Sequence, residues 1–482
     1  MPASVTGSRW TAFAVAVSVA ALTILDISKI NVGLPSIEKA LGAGSTSLQL
    51  IVAGYTLAFG LALVPAGRIG DLFSRRIMFL VGLALFGLTS LGCALAPTDE
   101  VLIVFRILQG VAAGIQMPQV LGLVQQLFQG AERGRAFGLF GAIIGLSTAF
   151  GPTLGGLLIL VGGPEDGWRL LFWMNVPIAA VLWVIAFRLL PRTQRHRPGA
   201  PSLDPVGVLI LAVAIFALLF PFVSTTGRGD PPERWFVLVG FAAAGAGFVL
   251  WERRYRARGR TPIVDFALFR DGGYRNGILI ATSYFAAIPA TFLCLTLFLQ
   301  EGLRLEPVFA GMVTIPFALT SAASSLISGR LVNRVGRPLV IGGLLVVITG
   351  LGLNLLLAEI LPPASAPWGM AVGMLVAGIG GGAIISPNQT LTLAGIRPEQ
   401  GGVAGSIGQL GQRVGTAIGL SAATAAFYAV IGSGGGARLD LYHEAFRNAA
   451  LVSACFLALA VVFALAEQFG RVRARRSDTV RT

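Results

Sequence analysis

Four charged residues lie deep inside apolar stretches of this 482-residue chain. Asp26 and Lys29 are three residues apart, a spacing that puts them on one face of a helix. Arg106 and Arg413 lie in two other apolar stretches. A charged side chain inside a bilayer is costly unless it is paired, hydrated or neutralised, and such residues commonly mark ion or solute pathways. The four residues therefore predict proton or solute movement across a membrane.

Asp26 is the candidate for carrying a proton. Of the 22 carboxylates, the other 21 lie in loops or near the ends of apolar stretches, and so do both histidines. Arg106 never loses its proton, so it needs a permanent partner and could set the local potential at Asp26. We therefore assign Asp26 and Arg106 to proton coupling. The alternative is structural: Asp26 and Lys29 neutralise each other, and Arg106 tethers neighbouring backbone.

Polar residues in the same stretches are candidates for a substrate cavity. Oppositely charged pairs inside membranes seldom face lipid, so Asp26 and Lys29 would line a wet cavity and be separated by substrate or proton. Arg413, about ten residues into a glycine-rich span, contacts substrate or serves equally well as a counter-ion for helix packing. The predicted cavity residues are Lys29, Asn31, Gln109, Gln116 and Arg413.

Composition places these residues in an all-α membrane protein. Hydrophobic residues make up 55% of the chain, charged residues 12%, and the mean hydropathy is +0.79. Apolar runs of about 20 residues, each long enough to cross a bilayer, recur from end to end. We count fourteen predicted transmembrane helices. The first is too long for a cleaved signal peptide and is kept as a helix.

The net charge of +14 follows membrane topology. With the N-terminus in the cytoplasm, the inside loops hold 26 of the 36 Lys and Arg residues and the outside loops hold seven. This asymmetry obeys the positive-inside rule. We therefore expect contact with membrane lipids and no nucleic-acid partner. Fourteen spans return the basic C-terminal tail to the cytoplasm, so both termini are expected there.

A basic loop occurs twice, at Gly67–Arg76 and Gly329–Pro338, each between two apolar stretches. Such a repeat indicates two related halves, as in many transporters. The loops are 262 residues apart, which leaves room for two further spans between the halves. We predict a six-helix bundle at 1–190, a linker with two additional helices and a basic amphipathic segment at 191–273, and a second six-helix bundle with a basic tail at 274–482. Within the linker, we expect residues 262–272 to lie on the membrane surface, with Ile263, Phe266 and Phe269 turned toward lipid. We expect this segment to have no role in substrate binding.

The positions of the cysteines and lysines argue against a metal site and against ATP hydrolysis by a phosphate-binding loop. The three cysteines all lie in apolar spans and have no metal-ligand spacing. The two lysines, Lys29 and Lys39, follow no glycine-rich phosphate loop. We expect no cofactor, no metal and no enzymatic activity, so transport must be driven by a gradient or a partner.

Five motifs follow one another along the chain: Leu25–Pro35, Gly67–Arg76, Arg106–Gly110, Gly151–Gly156, and Gly167–Arg169 followed by Asn175–Pro177. Together and in this order they resemble motifs of the major facilitator superfamily, and of its fourteen-helix drug:proton antiporters in particular. Two residues depart from the family pattern: Ser74 replaces a glycine, and Lys29 replaces an uncharged residue. The lysine puts a preference for cationic drugs in doubt.

The resemblance implies a major facilitator fold, with two six-helix bundles plus two central helices, and rocker-switch transport. It implies that Asp26 and Arg106 couple protons and that the basic loops close an inner gate. The inner-gate residues would be Gly67, Asp71, Arg75, Arg76, Gly329, Arg330 and Arg337. A bend at Pro152, set among Gly151, Gly155 and Gly156, could seal the outer side as a hinge.

The resulting hypothesis is a proton-coupled antiporter, a monomer in the cell membrane, that exports hydrophobic or amphiphilic small molecules. A dedicated transporter of an anionic or lipid-like metabolite is the alternative, because Lys29 and Arg413 favour negative charge. A receptor that transports nothing is the remaining class.

Overall fold

The computed structural model describes residues 3–191, 204–223, 232–260, 262–432 and 438–479, except for the side chains of residues 3–8, 45, 164, 223, 307 and 471–479. This part of the chain folds into α-helices without strands and includes fourteen segments long and apolar enough to cross a membrane. The prediction of fourteen spans is thereby confirmed. Residues 192–203, the first part of the predicted linker, and the side chains of the basic tail lie outside the described residues. The helices are α1 (Ala3–Leu41), α2 (Ser45–Leu72), α3 (Arg75–Ala94), α4 (Asp99–Leu127), α5 (Gly130–Trp173), α6 (Asn175–Leu189), α7 (Pro205–Val223), α8 (Val237–Ala257), α9 (Gly272–Leu297), α10 (Pro307–Met312), α11 (Ile315–Val335), α12 (Arg337–Ile360), α13 (Ala366–Thr392), α14 (Gly401–Ile431) and α15 (Arg438–Thr479).

Short polar side chains begin several of these helices. Ser74 Oγ accepts a hydrogen bond from Ile77 N (3.3 Å) and so caps α3. Thr98 caps α4, and Asp271 caps α9 through Gly273 N. A serine, threonine or aspartate at this position satisfies one of the unpaired N–H groups of the first turn. Ser74, where the family pattern has glycine, therefore still ends one helix and starts the next.

Glycines let helices approach closely in both halves. A Cβ atom at Gly110 of α4 would lie 2.3 Å from Tyr55 O of α2. A Cβ atom at Gly419 of α14 would lie 1.8 Å from Ala286 O of α9. Small residues four apart produce such contacts between membrane helices, because association there depends on close packing. The spacing of Gly110 with Gly114, and of Gly415 with Gly419, thus corresponds to α2–α4 and α9–α14 packing.

Of the two additional helices, α7 lies against the seam between the halves, and α8 packs on α7. On α7, Ile215 and Leu219 pack with Leu57 and Leu61 of α2 and with Val414 and Ala417 of α14, and Ser421 Oγ donates to Phe222 O (3.0 Å). We keep the division of the chain at 190 and 273 as a proposal that these contacts support.

The segment after α8 corrects one expectation. Ile263 is 3% exposed and packs with Val64 and Phe248, and Phe269 packs on the core of the first half. Residues Phe266–Arg270 form a 3₁₀ turn capped by Asp265. Ile263 and Phe269 therefore point into the protein and not toward lipid, since α2 and α8 already supply an apolar surface to receive them.

The halves meet at the face that carries both basic loops, called the basic face below. Asp71 at the end of α2 accepts hydrogen bonds from Gly402 N (3.1 Å) and Val403 N (2.9 Å) at the start of α14. Arg75 pairs with Asp71 and also donates to Pro398 O of the other half. A carboxylate at a helix N-terminus is stabilised by the free N–H groups and by the helix dipole. These contacts form a latch between the halves, called the Asp71 latch.

The second basic loop makes a different contact. Gly329 packs against Gly134 and Gly138 of α5, and Ser325 Oγ donates to Gly138 O (3.1 Å). A Cβ atom at Gly329 would lie 2.5 Å from Gly134 O, so the contact depends on glycine. One turn beyond Gly141, a Cβ at Gly145 would meet nothing within 4 Å. The tight α5–α11 packing is therefore confined to the basic face.

Three of the predicted inner-gate residues do not join the halves in this structure. Arg76 donates to Phe187 O on α6 of its own half, and the Arg330 side chain is exposed. Arg337 is buried in the second half, where it donates to Asn388 Oδ1 (2.5 Å) and pairs with Glu467. Gly67, Asp71, Arg75 and Gly329 lie at the interface. The difference arises because the second loop has Asn333 where the first has Asp71, so it lacks the carboxylate that bridges.

The Asp71 latch predicts that Asp71→Ala opens the basic face. The substitution removes two hydrogen bonds to a carboxylate, a loss of about 2 kcal/mol or more, which raises the open population roughly thirtyfold. Gln125 on α4 is fully buried and donates to Leu393 O of the second half. A cysteine at this position becomes accessible when the basic face opens, and Cys455→Ser removes the exposed native cysteine. The measurement is the rate of maleimide labelling. Glu132→Ala, which breaks an ion pair to Arg9 within one half, is the control. Equal labelling of all three proteins contradicts a latch role.

Candidate functional site

Asp26 lies at the centre of a buried polar cluster in the first half. Arg106 Nη1 donates to Asp26 Oδ2 at 2.8 Å, and Asn175 Nδ2 donates to Asp26 Oδ1 at 2.7 Å. Lys29 Nζ donates to Asn175 Oδ1 at 2.7 Å and is 3.5 Å from Asp26 Oδ1. Asp26 is 0% exposed, and Lys29 and Arg106 are each 1% exposed. The cluster thus joins α1, α4 and α6 through charge-assisted hydrogen bonds.

Further bonds surround the cluster. Arg106 Nε donates to Ile51 O of α2 (3.2 Å), and Arg106 Nη1 donates to Gln109 Oε1 (2.6 Å). Ser90 of α3 accepts from Gln109 Nε2 and from Asn175 Nδ2. All six helices of the first half therefore contribute to holding the Asp26 carboxylate. The contribution of α5 is indirect, through the packing of Gly155 on Lys29.

The cluster holds one carboxylate against two cations. With Asp26, Lys29 and Arg106 all ionised, it carries a surplus of one positive charge in a region without solvent access. Removing one partner from a buried ion pair typically costs 3–5 kcal/mol, because the remaining charge is left uncompensated. Asp26 and Lys29 can exchange a proton, whereas Arg106 cannot. The chemistry available here is therefore a change in proton number at Asp26 or Lys29, which changes the surplus charge.

Three predicted cavity residues do not face an open cavity. Lys29 and Gln109 are buried within the cluster, and Gln116, also fully buried, donates to Thr23 Oγ1 of α1 (2.6 Å). Each is turned into its own half because a polar partner on a neighbouring helix satisfies it there. Asn31 is exposed on α1, and Arg413 is partly buried on α14.

The glycines of α5 hold α1 in place. A Cβ at Gly151 would lie 2.5 Å from Ser28 Cβ, and one at Gly155 would lie 3.0 Å from Lys29 O. Ser28 Oγ also donates to Thr148 O at 2.6 Å. Within α5 the non-helical backbone is at Gly163 (φ 82°), so the helix is continuous through Pro152 and Gly156. The motif packs against the backbone of the Asp26 helix in this conformation, and its role as an outer-gate hinge stays a prediction.

Aromatic side chains connect the cluster to the second half. The Arg106 guanidinium lies over the Tyr55 ring at 4.3 Å from its centroid. Tyr55 is in contact with Phe59 one turn along α2, and the Arg413 guanidinium lies over the Phe59 ring at 4.6 Å. The Tyr55 hydroxyl and Arg413 Nε are both buried without a hydrogen-bond partner in the described part of the chain. Arg413 therefore contacts the first half through an aromatic face, with an unused donor.

Sequence reasoning gives Asn175, Ser90 and Tyr55 no role, although they touch the cluster or its arginine. Asn175 is named only within a family motif. An asparagine inside an apolar span is a signal for buried hydrogen bonding, but the sequence does not show which helix supplies its partner. Among the described residues, no group of three or more His, Cys, Asp or Glu side chains could hold a metal ion.

Comparisons with solved structures agree with this fold. The human organic anion transporter MFSD10 (TETRAN) superposes with a TM-score of 0.65 at 15% identity, covering 95% of this chain and 100% of that chain. The proton:xylose symporter XylE gives a TM-score of 0.64 at 16% identity, covering 95% of both chains. At these identities the likeness concerns the fold alone.

Sequence relatives are more similar. A probable actinorhodin transporter of Streptomyces coelicolor is 32% identical over 90% of this chain and 75% of its own length. The puromycin resistance protein pur8 of Streptomyces alboniger is 34% identical over 90% of this chain and 86% of its own. The tetracenomycin C resistance and export protein of Streptomyces glaucescens is 32% identical over 86% of this chain and 75% of its own.

A family model described as the Major Facilitator Superfamily matches residues 16–420 and 276–479. The matched residues include both basic loops and the Asp26 cluster. The match spans most of the chain, and relatives above 30% identity cover more than four-fifths of it. The chain therefore belongs to the Major Facilitator Superfamily and is a multi-pass membrane transporter, not an enzyme, related to antibiotic export and resistance proteins.

Proposed function

We propose that this transporter is a proton-coupled antiporter of the cell membrane that exports hydrophobic or amphiphilic small molecules. The observation that carries the proposal is the buried cluster of Asp26, Lys29 and Arg106. A proton gained or lost at Asp26 or Lys29 changes the charge of this buried cluster and therefore its electrostatic energy. Coupling requires such a difference in energy between two states. We place both termini in the cytoplasm and expect the protein to work as a monomer.

The proton changes the surplus charge of the cluster, and the surplus charge biases the conformation. In the described conformation Asp26 is bonded to Arg106 and Asn175, the three charged side chains are buried from solvent, and the basic face is closed. Protonation of Asp26 would leave both cations without a carboxylate, so α1, α4 and α6 would separate or admit water. We propose that this repacking moves α1 relative to α5 and thereby favours the other arrangement of the two halves.

The energy available matches such a cycle. One proton that moves down a potential of about 100 mV supplies roughly 2.3 kcal/mol. Each 1.4 kcal/mol corresponds to about a tenfold concentration ratio. One or two protons therefore suffice to export an uncharged solute some tens-fold against its gradient.

Replacement of Asp26 tests the coupling. We expect Asp26→Asn to abolish substrate-induced dissipation of a preformed pH gradient in everted vesicles, measured by a pH-sensitive dye. Puromycin, tetracenomycin C and actinorhodin serve as trial substrates, because relatives carry these names. The exposed carboxylate variant Asp166→Asn is the matched control. Normal proton flux in Asp26→Asn rules out Asp26 as the carrier.

A second variant guards against misfolding. Asp26→Asn alone leaves Lys29 and Arg106 without a carboxylate, at a cost of about 3–5 kcal/mol. The double variant Asp26→Asn/Lys29→Gln keeps the wild-type surplus of one positive charge and has no exchangeable proton in the cluster. We expect it to fold and to exchange substrate down a concentration gradient, without proton movement. Proton movement in this variant excludes the whole cluster as the carrier.

Lys29 separately tests whether the cluster faces substrate. Because Lys29 is 1% exposed and bonded to Asn175, we expect Lys29→Gln to leave the relative transport of cationic, neutral and anionic amphiphiles unchanged within about twofold. The measurement is competition against one fluorescent substrate. A clear shift toward cations means that Lys29 reaches the substrate in another conformation.

The alternative substrate class, an anionic or lipid-like metabolite, is favoured by one observation. Arg413 Nε and the Tyr55 hydroxyl are buried donors without a partner in the described residues, and both side chains contact Phe59 between the halves. An anionic group would accept from both. We expect Arg413→Gln to lower transport of an anionic amphiphile at least roughly tenfold and that of a cationic one much less. Arg397→Gln, in an exposed loop, is the control. If Arg413→Gln lowers transport of the anionic and the cationic amphiphile equally, Arg413 has only a packing role.

A further inference from the structure

A cavity of about 320 Å³ opens at the basic face, away from the Asp26 cluster. Four parts of the chain form it: α2 through Arg68, the end of α8 through Arg256, the segment that follows α8, and the start of α14 through Val403 with the preceding Gln400. Its volume is at the lower end of the range for sites that bind small molecules, about 300–1,000 Å³. The transport mechanism above does not use this cavity.

One side of the cavity is basic. The side chains of Arg68, Arg256 and Arg260 line it, together with one acid, Asp265. Asp265 Oδ1 pairs with Arg256 Nη1 (3.0 Å) and also accepts a hydrogen bond from Ala267 N (3.0 Å). The Asp265 carboxylate is therefore shared between Arg256 and the first turn of Phe266–Arg270. Three guanidinium groups against one carboxylate leave a positive surface, and arginine binds phosphate through paired N–H donors.

The backbone after α8 brings two of these arginines together. Gly259 has a positive φ of 73°, a conformation that glycine adopts without strain. Gly259 N donates to Arg256 O (2.9 Å), and Arg260 N donates to Tyr255 O (3.3 Å), so the chain reverses at the helix end. Arg260 then lies over the Tyr255 ring, 5.5 Å from its centroid. The turn thus places Arg256 and Arg260 on the same cavity.

The rest of the lining is mostly apolar. Pro262, Ile263 and Leu268 of the segment after α8 contribute to it, together with Val403 near the start of α14, a helix apolar enough to cross the membrane. Glu252 is not a lining residue; it accepts a hydrogen bond from Ile263 N, and its charge interacts with that of Arg68. Three guanidinium groups against Asp265 and Glu252 still leave a net positive charge. An amphiphilic lining beside the membrane matches a phosphate group that carries apolar chains. Basic pockets at the cytoplasmic ends of membrane helices bind lipid head groups in this way.

We propose that this cavity is a binding site for a phosphate-bearing anion, the head group of an anionic phospholipid or a soluble organic phosphate. The site exists only while the Asp71 latch is closed, because Arg68 and Val403 come from helices that the latch joins. Asp71 accepts from Val403 N, so the lining and the latch share a residue. A ligand that binds one conformation shifts the population toward it. The bound anion therefore stabilises the closed basic face.

The test compares two double variants of the full-length protein in detergent. Arg256→Gln/Arg260→Gln removes two cavity arginines, and Arg253→Gln/Arg254→Gln removes two exposed arginines of the same helix that do not line the cavity. Native mass spectrometry measures retained phosphatidylglycerol, with phosphatidylcholine as the uncharged-lipid comparison. We expect the cavity variant to bind phosphatidylglycerol about thirtyfold more weakly than the wild type, and the control variant to bind it like the wild type.

Competition identifies the source of the phosphate. If glycerol phosphate at millimolar concentration displaces the lipid from the wild type, the site accepts soluble phosphates. If it does not, the acyl chains are required and the ligand is a lipid. Equal binding by the wild type and the cavity variant, or equal losses in both variants, overturns the proposal.

A second readout measures the consequence for the gate. In vesicles that contain phosphatidylglycerol, maleimide labelling of Gln125→Cys should be slower than in phosphatidylcholine alone. The Arg256→Gln/Arg260→Gln variant should not show this difference. This result is independent of proton coupling, because labelling requires neither substrate nor a gradient.

Discussion

The structure depends on one constraint: a charge that is removed from water must meet its partner inside the protein. Asp26 satisfies it through Arg106 and Asn175, and Lys29 through Asn175. These partners come from three helices, so the helices must keep their relative positions for the charges to stay paired. The close packing of α5 glycines against the backbone at Lys29 serves the same end. The polar cluster and the helix packing around it are thus one unit, and a change of proton number acts on both.

The internal repeat has diverged in its chemistry. The first basic loop bridges the halves because Asp71 accepts from the backbone at the start of α14. In the second loop Asn333 occupies the equivalent position, and Arg337 is bonded to Asn388 and Glu467 within its own half. One side of the basic face is therefore held by a charge, and the other by close glycine packing and by neutral hydrogen bonds, including the one from Ser325 Oγ to Gly138 O. Only the charged side is exposed to screening by salt.

The two additional helices lie between the two halves in the sequence, but they do more than connect them. The first of them, α7, lies along the seam, where Ile215 and Leu219 contact both halves, and α8 packs on it. The segment after α8 turns inward at Ile263 and completes a basic cavity beside the latch. A fourteen-helix chain thus has, at its basic face, a surface that six plus six helices would lack. This surface lies beside the contact through which Asp71 joins the two halves.

The sequence by itself determined the class of protein, the fourteen spans, the repeated loops and the one carboxylate that lies deep inside an apolar stretch. These are properties of composition, run length and motif, which are local and need no knowledge of neighbours. Only the tertiary structure decided that Asn175 bridges Asp26 and Lys29, that Lys29 and Gln109 turn into their own half, and that Ile263 is buried. Helical periodicity shows which residues share a face, but the partner of that face lies on a helix distant in sequence. Pairing inside a membrane protein is therefore a property of packing, because each buried polar group takes the nearest donor or acceptor that the fold supplies.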